Sequence, residues 1–317
     1  MFRKPVIILG APRSGTSLLM KIIREHPSFA SVPRESDVIW NTYCHPSLNN
    51  WDAEGIDSQR IDSEMVDKIR NIFEQSALSA STWQRWSELG GFKLMKHPIS
   101  SAIIRKAYHP AFALLTVLRK TMPRHDSQKS HRLVDKSVHC PLWLNLVDAV
   151  FPDALYIHIT RNGLYSVDSM LDGWLLDSKR FNTYRLPELN IQGYEGTDWN
   201  FALPYGWRDY VNQPLENVVS FQWITIQEAI LKHLDTPALQ QRNIQIKLEN
   251  LTHYPIETLK QLAEFIQVSN EFSQYEQDMP IINASSTKRD TANLRYPEKI
   301  ANISTLLEPL QKRLGYE

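Results

Sequence analysis

The stretch VIILGAPRSGTSLL, residues 6–19, decides the fold. Its first four residues are apolar and run directly into Gly10, the pattern of a buried parallel strand. Beyond the loop, Leu18, Leu19, Ile22 and Ile23 recur at helical spacing, and Pro27 stops the helix. Strand, glycine loop and helix in this order form the first half of an α/β nucleotide fold. The loop departs from the phosphate-binding pattern G-x-x-x-x-G-K-[ST] at one point. Gly10 and Gly15 are correctly spaced, but Thr16 and Ser17 follow where Lys is expected, and the available cation is Arg13, inside the loop. Loop N–H groups and the following helix N-terminus suit an anion. Ser14, Thr16 and Ser17 add hydroxyls around Gly15, and Arg13 adds a planar fork of donors. A phosphate or sulfate group fits this set. The missing lysine argues against ordinary ATP or GTP hydrolysis.

The rest of the chain is that of an ordinary globular protein. It has 317 residues, 42% of them hydrophobic, and 35 Lys and Arg balance 35 Asp and Glu. No global basic field points to nucleic acid or an anionic membrane. Cys44 and Cys140 are far apart and form no CxxC pattern, which argues against a zinc site or disulfide framework and for a reducing compartment. The N-terminal apolar run is too short for a signal-peptide core, and no apolar run is long enough to span a membrane. A cytoplasmic location is expected.

Further elements follow from periodicity. DSEMVDKIRNIFEQSALS is an amphipathic helix, GFKLMK and HRLVDKS are extended candidates, and PLWLNLVDAVFPDA is a helix closed near Pro152. ALYIHIT is a second buried strand, followed by the helix GLYSVDSMLDGWL. SFQWITIQEAILKHL is a long helix, NIQIKL a third strand, and PIETLKQLAEFIQ a helix that begins at proline. Residues 177–215 are rich in aromatics and have no clean period. They read as a long irregular insertion over the functional edge of the sheet. No repeat or linker interrupts the chain, so one domain spanning 1–317 is expected, with a central parallel sheet and helices on both faces.

A second constellation lies in YIHITRNGLYSVDSML. Arg161 follows a strand directly and Ser169 lies eight residues later on the next helix. Both belong at the carboxyl edge of a parallel sheet, where ligands bind in such folds. Arg with Ser suits a second phosphate.

Together, APRSGTSLL and the Arg161–Ser169 segment resemble the sulfotransferase family, which uses 3′-phosphoadenosine 5′-phosphosulfate as donor and leaves adenosine 3′,5′-bisphosphate. The resemblance covers roughly residues 4–36, 133–171 and 220–270. It implies that the first loop binds the 5′-phosphosulfate, with Arg13 in the role of the family's loop cation, and that Arg161 and Ser169 bind the 3′-phosphate. LVDKSVHCPLWLNLVDAVFPDALYIHITRN is similar to the family's Asp/Glu-then-Lys stretch, which makes Lys136 a second cation near the sulfuryl group. No metal is required, because cationic side chains supply the charge. The polar loop in NASSTKRDTANLRYPEK, with Ser286 and Lys288, either closes the nucleotide site, as in family members, or is an exposed turn.

The base is the open position. Cytosolic members use a His two residues after the strand-end Lys, and Val138 stands there. His139 is one residue off, and His97 in LMKHP lies at the wrong distance. Tyrosylprotein sulfotransferases and some bacterial members use a Glu after the first helix, and HPSFASVPRESDVIW places Glu35 at that point. Glu35 is therefore the expected general base, with Arg13 and Lys136 stabilising charge. The tyrosylprotein pattern has Arg where this chain has Asp37, which argues against a peptide tyrosine acceptor. The expected activity is sulfuryl transfer to a hydroxyl of a small molecule or glycan. Two alternatives stay open: a P-loop kinase or NTPase, and a noncatalytic nucleotide-binding protein. Trp199, Tyr205 and Trp207 either stack on an acceptor or pack on one another. Oligomeric state is open, a homodimer included.

Overall fold

The strand and helix expected from residues 6–19 are β1 (Val6–Leu9) and α1 (Thr16–Glu25). The computed structural model of the protein describes residues 2–32, 36–79, 131–176, 181–186, 189–269, 272, 275 and 294–317. Glu35, His97, Ser286, Lys288 and the GFKLMK segment lie outside the described residues. The elements that follow are β2 (Phe29–Ser31), α2 (Asp37–Cys44), α3 (Ser63–Ser76), β3 (Leu78–Ser79) and β4 (Arg132–Lys136). After them come α4 (Leu144–Val150), β5 (Leu155–Thr160), α5 (Gly163–Leu175), β6 (Asn182–Arg185) and β7 (Asp198–Asn200). The last are α6 (Leu215–Leu234), β8 (Asn243–Lys247), α7 (Leu248–His253), α8 (Pro255–Ile266) and α9 (Pro297–Arg313).

Among the described residues, a six-stranded sheet has the order β3-β2-β4-β1-β5-β8, parallel except for the β2–β3 pair. Alternate residues of its strands enter two separate cores. Val6, Ile8, Val134, Ile157, Ile159 and Ile246 meet Leu19, Ile22 and Ile23 of α1 and Leu259, Leu262 and Ile266 of α8 on one face. Ile7, Leu9, Leu133 and Tyr156 meet α2 to α6 and α9 on the other. Burial on both faces explains why β1 and β5 read as continuous apolar runs. Each fully buried Leu or Ile contributes on the order of 1.5–3 kcal/mol, so β1 is anchored before any polar contact is made.

The helix expected over DSEMVDKIRNIFEQSALS stops at Ser76, and Leu78–Ser79 form β3 instead; other elements were also not foreseen. β2 is three residues long and pairs with β4, α2 follows it closely, and α9 begins inside the polar NASSTKRDTANLRYPEK stretch. Residues 177–215 also differ from the irregular insertion expected. Among the described residues they contain the antiparallel pair β6–β7 and a 3₁₀ turn at Trp207–Tyr210. Trp199 is fully buried and meets Trp174 and Trp207 edge-on, with centroids 5.2 and 5.6 Å apart. These rings are core, whereas Tyr205 is 77% exposed.

Candidate active site

The ends of β1, β4 and β5 lie side by side, with Ile8 beside Lys136 and Leu9 beside His158. The carboxyl edge of the sheet therefore gathers the loop after β1, Lys136 and the turn after β5, although they are far apart in sequence.

Close approach and backbone conformation shape the first loop. A Cβ on Gly10 would lie 2.6 Å from both the Ile159 carbonyl oxygen and Ser14 Oγ. Gly15 has φ of +96°, and a Cβ there would meet Leu248 Cδ1 at 2.6 Å. Arg13 adopts a left-handed φ of 69° without being glycine. Such strain costs about 1–2 kcal/mol and concentrates at functional sites. Ser14 is turned inward. Its Oγ donates to the Ala11 carbonyl at 2.6 Å and its N–H donates to the same oxygen at 3.2 Å. Ser14 thus closes the loop, and its hydroxyl proton is committed to Ala11. The first intrahelical bonds run from the Leu18 and Leu19 N–H groups to the Gly15 carbonyl. The preceding N–H groups of Gly15, Thr16 and Ser17 open the helix, where an anion is favoured.

Arg13 reaches across to the second constellation. Its Nε donates to Ser169 Oγ at 3.0 Å, and Arg161 Nη1 donates to the Arg13 carbonyl at 3.2 Å. The Arg13 guanidinium also lies over the Phe181 ring, 5.3 Å from its centroid. The aromatic insertion therefore touches this edge. Arg161, Ser169 and Lys136 are buried, while Arg13 and Ser17 reach the surface. Four residues expected from sequence, Arg13, Lys136, Arg161 and Ser169, come from the ends of three strands and one helix.

Lys136 is flanked by a pair of clamps. Ser36 Oγ donates to Asp135 Oδ2 at 2.8 Å, and Trp40 Nε1 donates to both. On the other side, Ser137 Oγ donates to Asp37 Oδ1. The start of α2 is thereby tied to the end of β4. Burial pushes the Asp135 carboxyl up to about 6, against the opposing pull of its Ser36 and Trp40 hydrogen bonds. Asp37, which stands where the tyrosylprotein pattern has Arg, serves as an acceptor for Ser137.

His139 does not lie in an extended segment. It precedes a 3₁₀ turn at Cys140–Trp143 and is buried, with Nδ1 2.8 Å from Glu54 Oε2 and its ring stacked on Trp143. Glu54 Oε1 accepts the Leu203 N–H at 2.7 Å. This buried pair joins the end of β4 to the insertion.

Asp135 and Asp168 were not singled out from sequence. Asp168 precedes Ser169 and accepts the Arg295 and Tyr296 N–H groups at 2.8 and 3.0 Å, so α5 also holds the entry to α9. The Asp-Lys pair in LVDKS was the available signal for Asp135. Nothing local distinguishes Asp168.

A family model described as the sulfotransferase family matches residues 5–272. No curated protein sequence matches the chain. Among solved structures, a sulfotransferase from Alicyclobacillus acidocaldarius is 12% identical over 100% of this chain and 98% of that one, with a TM-score of 0.50. It shares the fold. A sulfotransferase from Mycobacterium avium is 11% identical over 100% of this chain and 78% of that one, TM-score 0.49. A sulfotransferase domain from the curacin biosynthetic pathway is 17% identical over 99% of each chain, TM-score 0.43. Among the described residues, no helix is long and apolar enough to cross a membrane. The strand-end site and the family match over most of the chain lead to one assignment: this protein belongs to the sulfotransferase family, and its chemistry is sulfuryl transfer.

Proposed function

We propose that the protein transfers the sulfuryl group of 3′-phosphoadenosine 5′-phosphosulfate to a hydroxyl of a small molecule or glycan. The observation that carries this reading is the contact of Arg13 with Ser169 and of Arg161 with the Arg13 backbone. Two cations and a hydroxyl on one sheet edge suit a nucleotide that carries phosphate at both ends. The N–H groups of Gly15, Thr16 and Ser17 hold the 5′-phosphate at the α1 N-terminus. Arg161 and Ser169 hold the 3′-phosphate and so select this donor over ATP. Ser286 and Lys288 are assigned to the same nucleotide.

In the reaction, the acceptor oxygen bonds to sulfur as the bond from sulfur to the bridging phosphate oxygen breaks. Adenosine 3′,5′-bisphosphate leaves with that electron pair. Lys136 and Arg13 offset the charge that grows on the bridging and equatorial oxygens. Glu35 takes the acceptor proton. Ser36 and Asp37, the residues next in sequence, are tied to Asp135 and Ser137 on either side of Lys136.

The test is calorimetric binding of adenosine 3′,5′-bisphosphate and ADP without magnesium, to wild type and Arg161→Ala. The wild type prefers the 3′-phosphorylated nucleotide, and Arg161→Ala loses that preference. Binding of ADP alone, and only with magnesium, would replace this reading with that of an NTP site.

A further inference from the structure

The turn that presents Arg161 is held by residues outside the phosphate-contacting set. The Asn162 N–H donates to Glu249 Oε1 at 3.0 Å, and the Gly163 N–H donates to Gln311 Oε1 at 2.9 Å. The Leu164 N–H donates to the Asn162 side chain at 3.0 Å. A helix N-terminus ordinarily leaves such groups for an anion. At α5, protein oxygens occupy all three. An anion therefore meets this segment through the Arg161 and Ser169 side chains, in contrast to α1, where the cap residue Gly15 offers no side chain.

The capping oxygens are themselves fixed. Tyr316 Oη donates to Glu249 Oε2 at 2.9 Å and lies 3.2 Å from Thr160 Oγ1, on the residue before Arg161. Gln245 Nε2 donates to the Leu314 carbonyl at 2.8 Å, and Lys247 Nζ sits 4.6 Å from the Tyr316 ring centroid. Burial, reinforced by the Glu249 carboxylate, raises the Tyr316 phenol far above its usual range, so it remains a donor. Glu249, Gln311 and Tyr316 come from α7, α9 and the residues just beyond α9, yet they converge on one turn.

We infer that Tyr316, Gln311 and Glu249 are positioning residues that hold the Thr160–Leu164 turn and aim Arg161 at the nucleotide's 3′-phosphate. The inference rests on the reading of Arg161 as a 3′-phosphate ligand. A purely structural network would alter stability without distinguishing between nucleotides. A positioning network acts only on ligands that carry the 3′-phosphate.

The experiment compares binding of adenosine 3′,5′-bisphosphate and adenosine 5′-phosphate to wild type, Tyr316→Phe, Gln311→Leu and Gln311→Glu, with steady-state kinetics alongside. Tyr316→Phe and Gln311→Leu weaken the bisphosphate about tenfold, the scale of one hydrogen bond involving a charged group, and leave the monophosphate within about twofold. KM for the donor rises with kcat unchanged. Gln311→Glu restores an acceptor for the Gly163 N–H and with it bisphosphate affinity. Equal losses for both nucleotides, or no loss in either Tyr316→Phe or Gln311→Leu, overturn the inference while the donor assignment stands. A wild type without preference for the 3′-phosphorylated nucleotide overturns both.

Discussion

Ser36 Oγ donates to Asp135 Oδ2 at 2.8 Å, across 99 residues of sequence. The bond ties the entry of α2 to the residue before Lys136, and it places a carboxylate in the core with only its Oδ2 partnered among the described residues.

That carboxylate and His158 give opposed pH dependences. Asp135 is raised from its usual 3.8 to about 6 by burial, so between those values the folded state binds more protons than the unfolded chain. Stability from this group is present at low pH and is lost as pH rises through the window. His158 is lowered from 6.5 to about 4 by burial, offset in part by its 2.7 Å hydrogen bond with Gln227. Its stability is present above 6.5 and is lost as pH falls towards 4. Each displacement amounts to about 3 kcal/mol. Urea unfolding at pH 4 and pH 7 separates them. Relative to wild type, Asp135→Asn gains about 3 kcal/mol between pH 4 and 7, and His158→Gln loses about as much. Parallel curves for either variant would assign that group an ordinary pKa.

Arg13 carries its guanidinium on a left-handed backbone. Glycine takes that conformation without the Cβ penalty. Arg13→Gly is therefore more stable than Arg13→Ala by about 1 kcal/mol, while both lose turnover to the same extent. Equal stabilities in chemical denaturation would show that the loop bears no strain at this residue.

The buried His139–Glu54 pair predicts a separation of stability from chemistry. Glu54→Ala removes the carboxylate facing His139 Nδ1 and the acceptor of the Leu203 N–H together, and costs about 3–5 kcal/mol. His139→Gln keeps a donor opposite Glu54 and retains turnover within about threefold of wild type. A fall of a hundredfold or more in folded His139→Gln would move the general base to His139.

Glu35→Gln keeps the size of the proposed base and removes its basicity. Affinity for adenosine 3′,5′-bisphosphate stays unchanged and turnover drops by ~10²–10⁴. Single-turnover kinetics with saturating donor checks this, and full activity would exclude Glu35 as the base.

Local signals carried a large part of the architecture. The apolar runs of β1 and β5, the helical spacing in α1 and the stops at Pro27 and Pro152 are properties of a few neighbouring residues, and they appear where expected. Arg161 and Ser169 could be placed at the sheet edge because each is counted from a strand end. The chain by itself thus determined the strand–loop–helix unit and the candidate residues beside it. Tertiary structure alone decided which of them meet. Arg13 contacts Ser169 across 156 residues, a bond that depends on β1 and β5 being neighbours in the sheet. The three-residue β2 is too short to have a period and exists because β4 pairs with it. The insertion hid its hairpin because its tryptophans pack on different partners rather than along one face. Ser14 looked like a ligand donor until the loop turned its hydroxyl onto Ala11. Such contacts follow from strand order and loop closure, and no local pattern of residues encodes either.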